Sequence, residues 1–200
     1  MSILTELYQE IGACNKCEIA RSRTRVVPGE GPENAEIMFI GEAPGYNEDQ
    51  QGRPFVGQAG QFLNELLSSV GLKRTDVYIT NIVKTRPPNN RDPLPTEINN
   101  CKPWLDRQIE AISPKIIVTL GRYSLARFFP GKTIGQVHGT SVTDNGTTYF
   151  AMYHPAAALH QQSLRETLMK DMQKIPVLLT EIKEIPVESP QAEIAQLPLF

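Results

Sequence analysis

Four short apolar runs, separated by segments of helical periodicity, constrain the fold of this chain more than any other feature. The runs cover residues 37–40, 77–83, 115–120 and 147–153. Ile116, Ile117 and Val118 form the continuous apolar run that is typical of strands buried on both faces. Strands that alternate with helices favour right-handed βαβ units. The sequence therefore predicts an α/β protein, a three-layer α/β/α sandwich with a central four-stranded parallel sheet.

The segments between the runs predict the helices and the irregular loops. Apolar spacing indicates helices over residues 4–11, 62–70, 122–128 and 163–179, and a further helix that begins near Thr96. A polar, Gly-rich loop is expected over residues 46–57, and a proline-rich loop follows the second strand.

A change of composition divides the chain into two parts. Residues 1–183 are long enough for one domain with a full-sized core. Residues 184–200 are rich in Pro and polar side chains and are predicted to be a flexible tail. The tail ends in Gln196-Leu197-Pro198-Leu199-Phe200, which could dock onto the chain's own core or serve as a linear motif for a partner's groove.

Charge and hydropathy exclude some classes of protein. The net charge of -2 argues against a uniformly basic nucleic-acid binder, although a local basic patch would still allow binding to phosphates. No apolar run approaches the roughly twenty residues that cross a bilayer, and the first ten residues do not resemble a secretory signal. We therefore expect no membrane span and a cytoplasmic location.

Two motifs follow predicted strands and place polar side chains at strand ends. Gly41-Glu42-Ala43-Pro44-Gly45 follows the first strand, and His154-Pro155 follows the last. Ligands of open α/β sheets bind at the carboxyl ends of strands. The two loops are therefore predicted to share one pocket.

The three cysteines suggest a second site. Cys14 and Cys17 form a Cys-x-x-Cys pair, and Cys101 lies far downstream. An odd number of cysteines in a chain expected to be cytosolic argues against structural disulfides. The spacing favours a metal or iron-sulfur site, although a redox pair or a coincidence would give the same pattern.

Four motifs in this order resemble the family 4 uracil-DNA glycosylases, the iron-sulfur branch of that superfamily. They are Gly41-Glu42-Ala43-Pro44-Gly45, Gly52-Arg53-Pro54-Phe55-Val56-Gly57, Thr80-Asn81-Ile82-Val83-Lys84 and His154-Pro155. The resemblance extends to about Leu179. It implies a monofunctional enzyme of base excision repair that flips uracil out of DNA and hydrolyses its N-glycosidic bond, leaving an abasic site.

The polar residues of these motifs suit a pocket that holds an extruded base. Phe55 is predicted to stack on uracil, with a core phenylalanine as the alternative. Asn81 is predicted to read the base edge through its donor and acceptor, with a turn residue as the alternative. His154 is expected to stabilise negative charge on the departing base. Glu42 is expected to position the attacking water, unless it mainly orders its loop.

The resemblance adds further site residues. It implies that Gly41 contributes to the uracil pocket and that Glu48 braces the Asn81 side chain and crowds uracil C5, although a solvated loop acid would look the same. Leu159 matches the apolar wedge that enters the duplex, and His160 stands where relatives often have Arg. Further DNA contacts are predicted at Lys84, Arg86 and Arg91; a solvated charge is the alternative for each.

The family holds a 4Fe-4S cluster with four cysteines, and this chain matches three of those positions with Cys14, Cys17 and Cys101. The fourth position is Thr85, whose hydroxyl is a poor ligand for iron in a sulfur environment. The outcomes are a labile 4Fe-4S cluster, a three-iron cluster or no cluster. We expect a cluster, because three thiolates without a metal would have no role.

The tail resembles the pentapeptide that binds the bacterial sliding clamp. The resemblance assigns clamp contacts to Gln196, Leu197, Leu199 and Phe200 and implies tethering to replicating DNA. The chain is expected to be a monomer that acts on uracil-containing DNA. Two other functions fit less well, namely a uracil-DNA binder that traps its target and a cluster-based redox or scaffold protein.

Overall fold

The computed structural model describes residues 2–184. The strands are β1 (Ile37–Gly41), β2 (Tyr78–Asn81), β3 (Ile116–Leu120), β4 (Ser141–Asp144) and β5 (Thr147–Met152). The helices are α1 (Ile3–Ala13), α2 (Ile19–Ser22), α3 (Tyr46–Gln51), α4 (Gln58–Ser69), α5 (Pro95–Ile112), α6 (Arg122–Phe128), α7 (Ile134–Val137), α8 (Pro155–His160), α9 (Ser163–Met172) and α10 (Lys174–Glu184).

The sheet has the strand order β2-β1-β3-β5-β4. Four of these strands, β2, β1, β3 and β5, are parallel. These four are the strands that the apolar runs predicted, so the parallel core of the sheet is confirmed. β1 and β3 are buried along their whole length, as continuous apolar runs require. The carboxyl ends of β1, β2 and β5 therefore lie at one edge of the sheet.

The prediction of four strands was wrong by one strand at the edge. β4 pairs antiparallel with β5, with Val142 opposite Tyr149, and all four of its residues are exposed. Asn145 and Gly146 join the two strands with φ angles of 49° and 79°, which fits a two-residue hairpin turn. β4 carries polar side chains and lacks an apolar run, so periodicity alone did not reveal it.

Helices pack on both faces of the sheet and form two apolar layers. Successive side chains of a strand point to opposite faces. Accordingly, Phe39 of β1 packs with Leu63 of α4 in one layer, whereas Ile40 packs with Leu105 of α5 in the other. This arrangement confirms the three-layer α/β/α sandwich.

The structure changes some predicted helix boundaries. The helix predicted over residues 163–179 is two helices, α9 and α10, with Gln173 between them. Pro176 lies in the first turn of α10, where its missing N–H is tolerated, whereas an unbroken helix would bring its ring against the carbonyl of Met172. The loop predicted over residues 46–57 contains helix α3.

Within residues 2–184, no helix is both long and apolar enough to cross a membrane. The domain boundary predicted at residue 184 remains a prediction. The predicted clamp motif at Gln196, Leu197, Leu199 and Phe200 lies outside the described residues.

Candidate active site

A cavity of about 160 Å³ lies at the carboxyl ends of β1, β2 and β5. Its walls come from the loop after β1, the loop before α4, the last residue of β2 and the residue before α8. The lining residues are Ala43, Gly45, Glu48, Phe55, Ala59, Asn81 and His154. The prediction that the loops after β1 and β5 share one pocket is therefore confirmed.

Asn81 ends β2 and brings a buried amide to this pocket. The residue is 2% exposed, and its Oδ1 has no hydrogen-bond partner among residues 2–184. A buried acceptor without a partner costs about 1–3 kcal/mol. A folded protein tolerates this cost where a ligand supplies the missing donor. Asn81 Oδ1 is therefore suited to accept a hydrogen bond from an N–H or O–H group of a ligand in the pocket.

Gly41 makes room for Asn81. The two residues are register partners in the parallel pair of β1 and β2. A Cβ atom at residue 41 would overlap Asn81 Oδ1 and approach the Cζ atom of Phe55 to 2.6 Å. A glycine is therefore needed here because of the close approach of two pocket side chains.

Phe55 forms an aromatic wall of the pocket. It is 6% exposed and belongs to the apolar layer that includes Phe39, as the alternative of a core phenylalanine predicted, and it also lines the pocket. Its stacking on uracil stays a prediction. Its ring stacks against the His154 ring at a centroid distance of 5.5 Å. Phe55 has a φ of 51°, a left-handed conformation that costs a bulky residue about 1–3 kcal/mol.

Arg74 holds Phe55 in this conformation, and sequence reasoning missed it. Its guanidinium donates to the carbonyl oxygen of Phe55 at 3.1 Å and also to that of Pro54. Glu30 fixes Arg74 through an ion pair at 3.3 Å and binds Arg53 through two hydrogen bonds. This cluster ties the aromatic wall to the segment that precedes β1.

His154 is a neutral hydrogen-bond donor in this pocket. The main-chain N–H of Ala156 donates to His154 Nδ1 at 3.1 Å, so Nδ1 is an acceptor and the proton lies on Nε2. Burial lowers the pKa of His154 to about 4, and the opposing effect of the Glu48 carboxylate is smaller. At neutral pH the ring can therefore donate from Nε2 without carrying a charge.

Glu48 makes contacts other than those the sequence suggested. Its Oε1 accepts from the main-chain N–H groups of Val56 and Gly57 at 2.8 Å each, and its Oε2 accepts from Gly45 at 3.1 Å. Within residues 2–184 the hydrogen bonds of Glu48 go to these backbone amides and none joins it to Asn81, so the structure gives the predicted brace no hydrogen bond. Glu48 instead joins two loops that line the pocket.

Glu42 lies beside the pocket rather than on its lining. The residue is half-buried, and burial together with the nearby Asp92 carboxylate raises its pKa, while Arg122 opposes the shift. Asp92 and Arg122 form an exposed ion pair with each other. The main-chain oxygen of Glu42 accepts from Val83 N–H at 3.1 Å, which fixes the loop to the segment after β2.

The predicted DNA contacts differ in their accessibility. Leu159 and His160 are exposed at the end of α8, next to the His154 segment. The Arg86 guanidinium lies 5.1 Å from the centre of the exposed Tyr46 ring. Arg91 is bound at both terminal nitrogens by the Glu97 carboxylate, at 2.9 and 2.7 Å, which reduces the charge it offers to a phosphate.

Lys84 does not belong to the DNA contacts, and that prediction was wrong. The residue is 1% exposed, and its Nζ donates to Thr80 Oγ1, the Asn81 carbonyl oxygen and Gln108 Oε1 at 2.6, 2.8 and 2.6 Å. Burial lowers its pKa to about 7. A phosphate outside the protein cannot reach this ammonium group, because the protein encloses it.

The three cysteines and Thr85 gather at a second, smaller site. Cys14, Cys17, Cys101 and Thr85 line one cavity of about 10 Å³ between α1, α2 and α5. Burial raises the pKa of the Cys101 thiol, and a hydrogen bond from the main chain of Lys84 opposes this shift. Three thiols suit iron or zinc. Within residues 2–184, however, no three such side chains are arranged to hold a metal ion.

Comparison with known proteins assigns the chain to a family. The family model of the uracil DNA glycosylase superfamily matches residues 28–175, which include Phe55, Asn81 and His154. The chain belongs to the uracil-DNA glycosylase superfamily.

Similar proteins within this superfamily match almost the whole chain. A type-4 uracil-DNA glycosylase of Sulfurisphaera tokodaii is 47% identical and covers 94% of this chain and 90% of its own length. One from Saccharolobus solfataricus is 48% identical, with coverages of 90% and 88%, and one from Thermotoga maritima is 44% identical, with coverages of 86% and 92%. These findings confirm the superfamily that the four motifs indicated.

Substitution of Gly41 tests the tight packing of the glycosylase pocket. Gly41→Ala should lower the free energy of unfolding by about 1–3 kcal/mol, because its methyl group overlaps Asn81 and Phe55. Gly12→Ala in α1 is the control, since a Cβ there meets nothing within 4 Å, and it should be neutral or stabilising by up to about 1 kcal/mol. Urea denaturation measures both; equal effects would contradict the packing argument.

Proposed function

We propose that this chain removes uracil from DNA by hydrolysis of the N-glycosidic bond and leaves an abasic site for base excision repair. The observation that carries the proposal is the unpaired, buried Oδ1 of Asn81, which shares a pocket with a neutral histidine donor and an aromatic wall. The membership of the superfamily supports it.

Base recognition follows from the hydrogen-bonding edge of uracil. Uracil presents an N3–H donor to an acceptor such as Asn81 Oδ1 and an O4 acceptor to the amide nitrogen. Cytosine has no hydrogen on N3, so it would leave the acceptor unpaired. A site that leaves buried polar groups unpaired with the wrong ligand discriminates strongly. Phe55 supplies a face for stacking of the extruded ring.

His154 stabilises the departing base. As the N-glycosidic bond breaks, negative charge accumulates on uracil O2, and the Nε2–H group of His154 can donate to it. Because burial lowers the pKa of the protonated ring to about 4, His154 is neutral, and a neutral imidazole is too weak an acid to lose its Nε2 proton as that charge develops. The stack of Phe55 against the ring helps to hold it in place.

Glu42 positions the attacking water and stabilises the positive charge that develops on the sugar. Its half-buried carboxylate lies in the loop that borders the pocket, and the ion pair of Asp92 with Arg122 lies near it. Ionised Glu42 is the active form. Because the pKa of Glu42 is raised, the excision rate should fall at a higher pH than the pH at which an ordinary exposed glutamate becomes protonated.

Exposed and half-buried residues near the pocket hold the DNA. Leu159 fills the space that the extruded base leaves in the duplex, as an apolar wedge does in other base-flipping proteins. Arg86 and His160 contact the backbone, and Arg91 contributes less because Glu97 pairs with it. The protein acts as a monomer in the cytoplasm.

An excision assay tests the function. The protein is incubated with single- and double-stranded oligonucleotides that carry one uracil, and alkali-labile abasic product is measured. His154→Ala and Asn81→Ala should each lower the single-turnover rate by about 100-fold or more. Lys102→Ala, at an exposed ion pair of α5, should leave it unchanged. No product from the unaltered protein would refute the function, and a stoichiometric adduct would instead indicate a trap.

An iron-sulfur cluster bound by Cys14, Cys17 and Cys101 is the second part of the proposal. The three thiols line one cavity, which supports a shared ligand. The cavity of about 10 Å³ must widen to admit a cluster, and Cys14 and Cys17 lie on the short connection between α1 and α2. The cluster would link this connection to α5. Thr85 lines the same cavity and would offer only a hydroxyl in place of the fourth thiolate, so the cluster should be labile.

Replacement of Thr85 tests the cluster. After anaerobic purification, the unaltered protein should contain iron and sulfide and lose them in air. Thr85→Cys should retain them longer, because a fourth thiolate completes the ligand set. Thr119→Cys, which adds a thiol at a buried threonine of β3, is the control and should behave as the unaltered protein does. Folded, iron-free preparations of both the unaltered protein and Thr85→Cys would contradict a cluster.

The tail is proposed to bind the bacterial sliding clamp through residues 196–200. The support is the sequence resemblance alone. Deletion of residues 196–200 should abolish binding to an immobilised clamp and leave excision from short duplexes unchanged, because the active site lies within residues 41–154. Equal clamp binding by the truncated and full chains would refute the assignment.

A further inference from the structure

Lys84 is a buried cation whose side chain reaches the main chain of the proposed uracil-reading residue. Its ammonium group donates to the Asn81 carbonyl oxygen at 2.8 Å, to Thr80 Oγ1 at 2.6 Å and to Gln108 Oε1 at 2.6 Å. Three acceptor oxygens around Nζ match the three protons of the ammonium form, and hydrogen bonds from a charged donor are about twice as strong as neutral ones. The carboxyl end of β2 is therefore held from inside the protein.

Other hydrogen bonds fix the orientation of the Thr80 and Gln108 side chains that accept from Lys84. Thr80 donates its hydroxyl proton to the Pro28 carbonyl oxygen at 2.7 Å, so its oxygen only accepts from Lys84. The Gln108 amide nitrogen donates to Pro28 and to the Tyr78 hydroxyl, each at 2.9 Å, which leaves its Oε1 facing Lys84. All three protons of the ammonium group thus have an acceptor.

The main chain of Lys84 is fixed as well. Its carbonyl oxygen accepts from Val27 N–H at 2.8 Å, and its own main chain forms a hydrogen bond with the Cys101 thiol. Lys84 therefore acts from a rigid position between α5 and the segment before β1. It can hold Asn81 without shifting itself.

The Asn81 side chain needs such support, because its Oδ1 has no partner within the described residues. A side-chain acceptor without a hydrogen-bond partner keeps its orientation only if the main chain of its residue and the neighbouring groups fix it. Gly41 and Phe55 limit the space around the amide. The Lys84 ammonium group anchors the carbonyl of the same residue.

We propose that Lys84 is a positioning residue for base recognition: it holds the Asn81 peptide so that the Asn81 amide faces the extruded base. The proposal rests on the proposed function, because it assigns Lys84 an effect on uracil through Asn81. Lys84 touches neither the base nor the DNA. The role of Lys84 therefore lies in the buried hydrogen-bond network and not in the DNA contact that the sequence predicted.

A double-mutant cycle tests this role. Lys84→Met keeps the length of the side chain and removes all three donors. It should lower the single-turnover rate of uracil excision by about 10- to 100-fold in the otherwise unaltered protein. In the Asn81→Ala background the same substitution should change the rate by less than about twofold, because residues that act through one another are not additive.

Two controls separate positioning from loss of structure. Lys115→Met removes a lysine that pairs with Glu36 next to the start of β3, and it should leave the rate unchanged. Iron content is measured for every variant, because Lys84 also contacts Cys101. If Lys84→Met fails to fold, Gln108→Met, which removes one acceptor of the ammonium group, should give a loss of about 3- to 10-fold that again disappears in Asn81→Ala.

The outcomes distinguish this proposal from the proposed function. A similar fold-loss in both backgrounds would show that Lys84 acts independently of Asn81 and would overturn the proposal. An unchanged rate in Lys84→Met would overturn it as well. In both cases the unaltered protein still excises uracil; only the absence of excision by that protein would refute the function itself.

Discussion

The arrangement of the pocket depends on a polar side chain that is buried at the end of a parallel strand without a partner. Asn81 pairs in register with Gly41, and that glycine leaves room for the Asn81 oxygen and the Phe55 ring. An unpaired acceptor is unfavourable in the folded protein, so the surroundings must hold it. Glu48 and Arg74 fix the loops around that oxygen, since each binds main-chain groups of the segment that carries Phe55.

Local sequence was enough to predict the parallel strands and the pocket at their ends. Strands buried on both faces need continuous apolar runs, and these are visible without any knowledge of the fold. The position of His154 follows from the same argument, because residues that follow a parallel strand lie at the ligand-binding edge. Asn81 does not follow from it, since the apolar run continues to residue 83 whereas β2 ends at Asn81. The Asn145-Gly146 turn was also visible and should have indicated the edge strand.

Contacts between distant segments were beyond sequence reasoning. Lys84 is buried because Gln108, from α5, supplies one of its acceptors, and a charge beside a proline loop otherwise predicts a surface contact. Glu48 was expected to brace an amide, but it binds backbone groups of another loop. Arg74 supports a carbonyl nineteen residues away in sequence. Each of these roles depends on which groups the fold brings together, and no local pattern encodes it.

Competition by small uracil analogues tests the central claim, that the unpaired oxygen of Asn81 accepts the N3–H group of uracil. Excision is measured in the presence of uracil, 1-methyluracil or 3-methyluracil. The account predicts that 3-methyluracil, which lacks N3–H, competes at least about 10-fold more weakly than 1-methyluracil, which keeps it. Equal competition by the two methylated bases would contradict the claim.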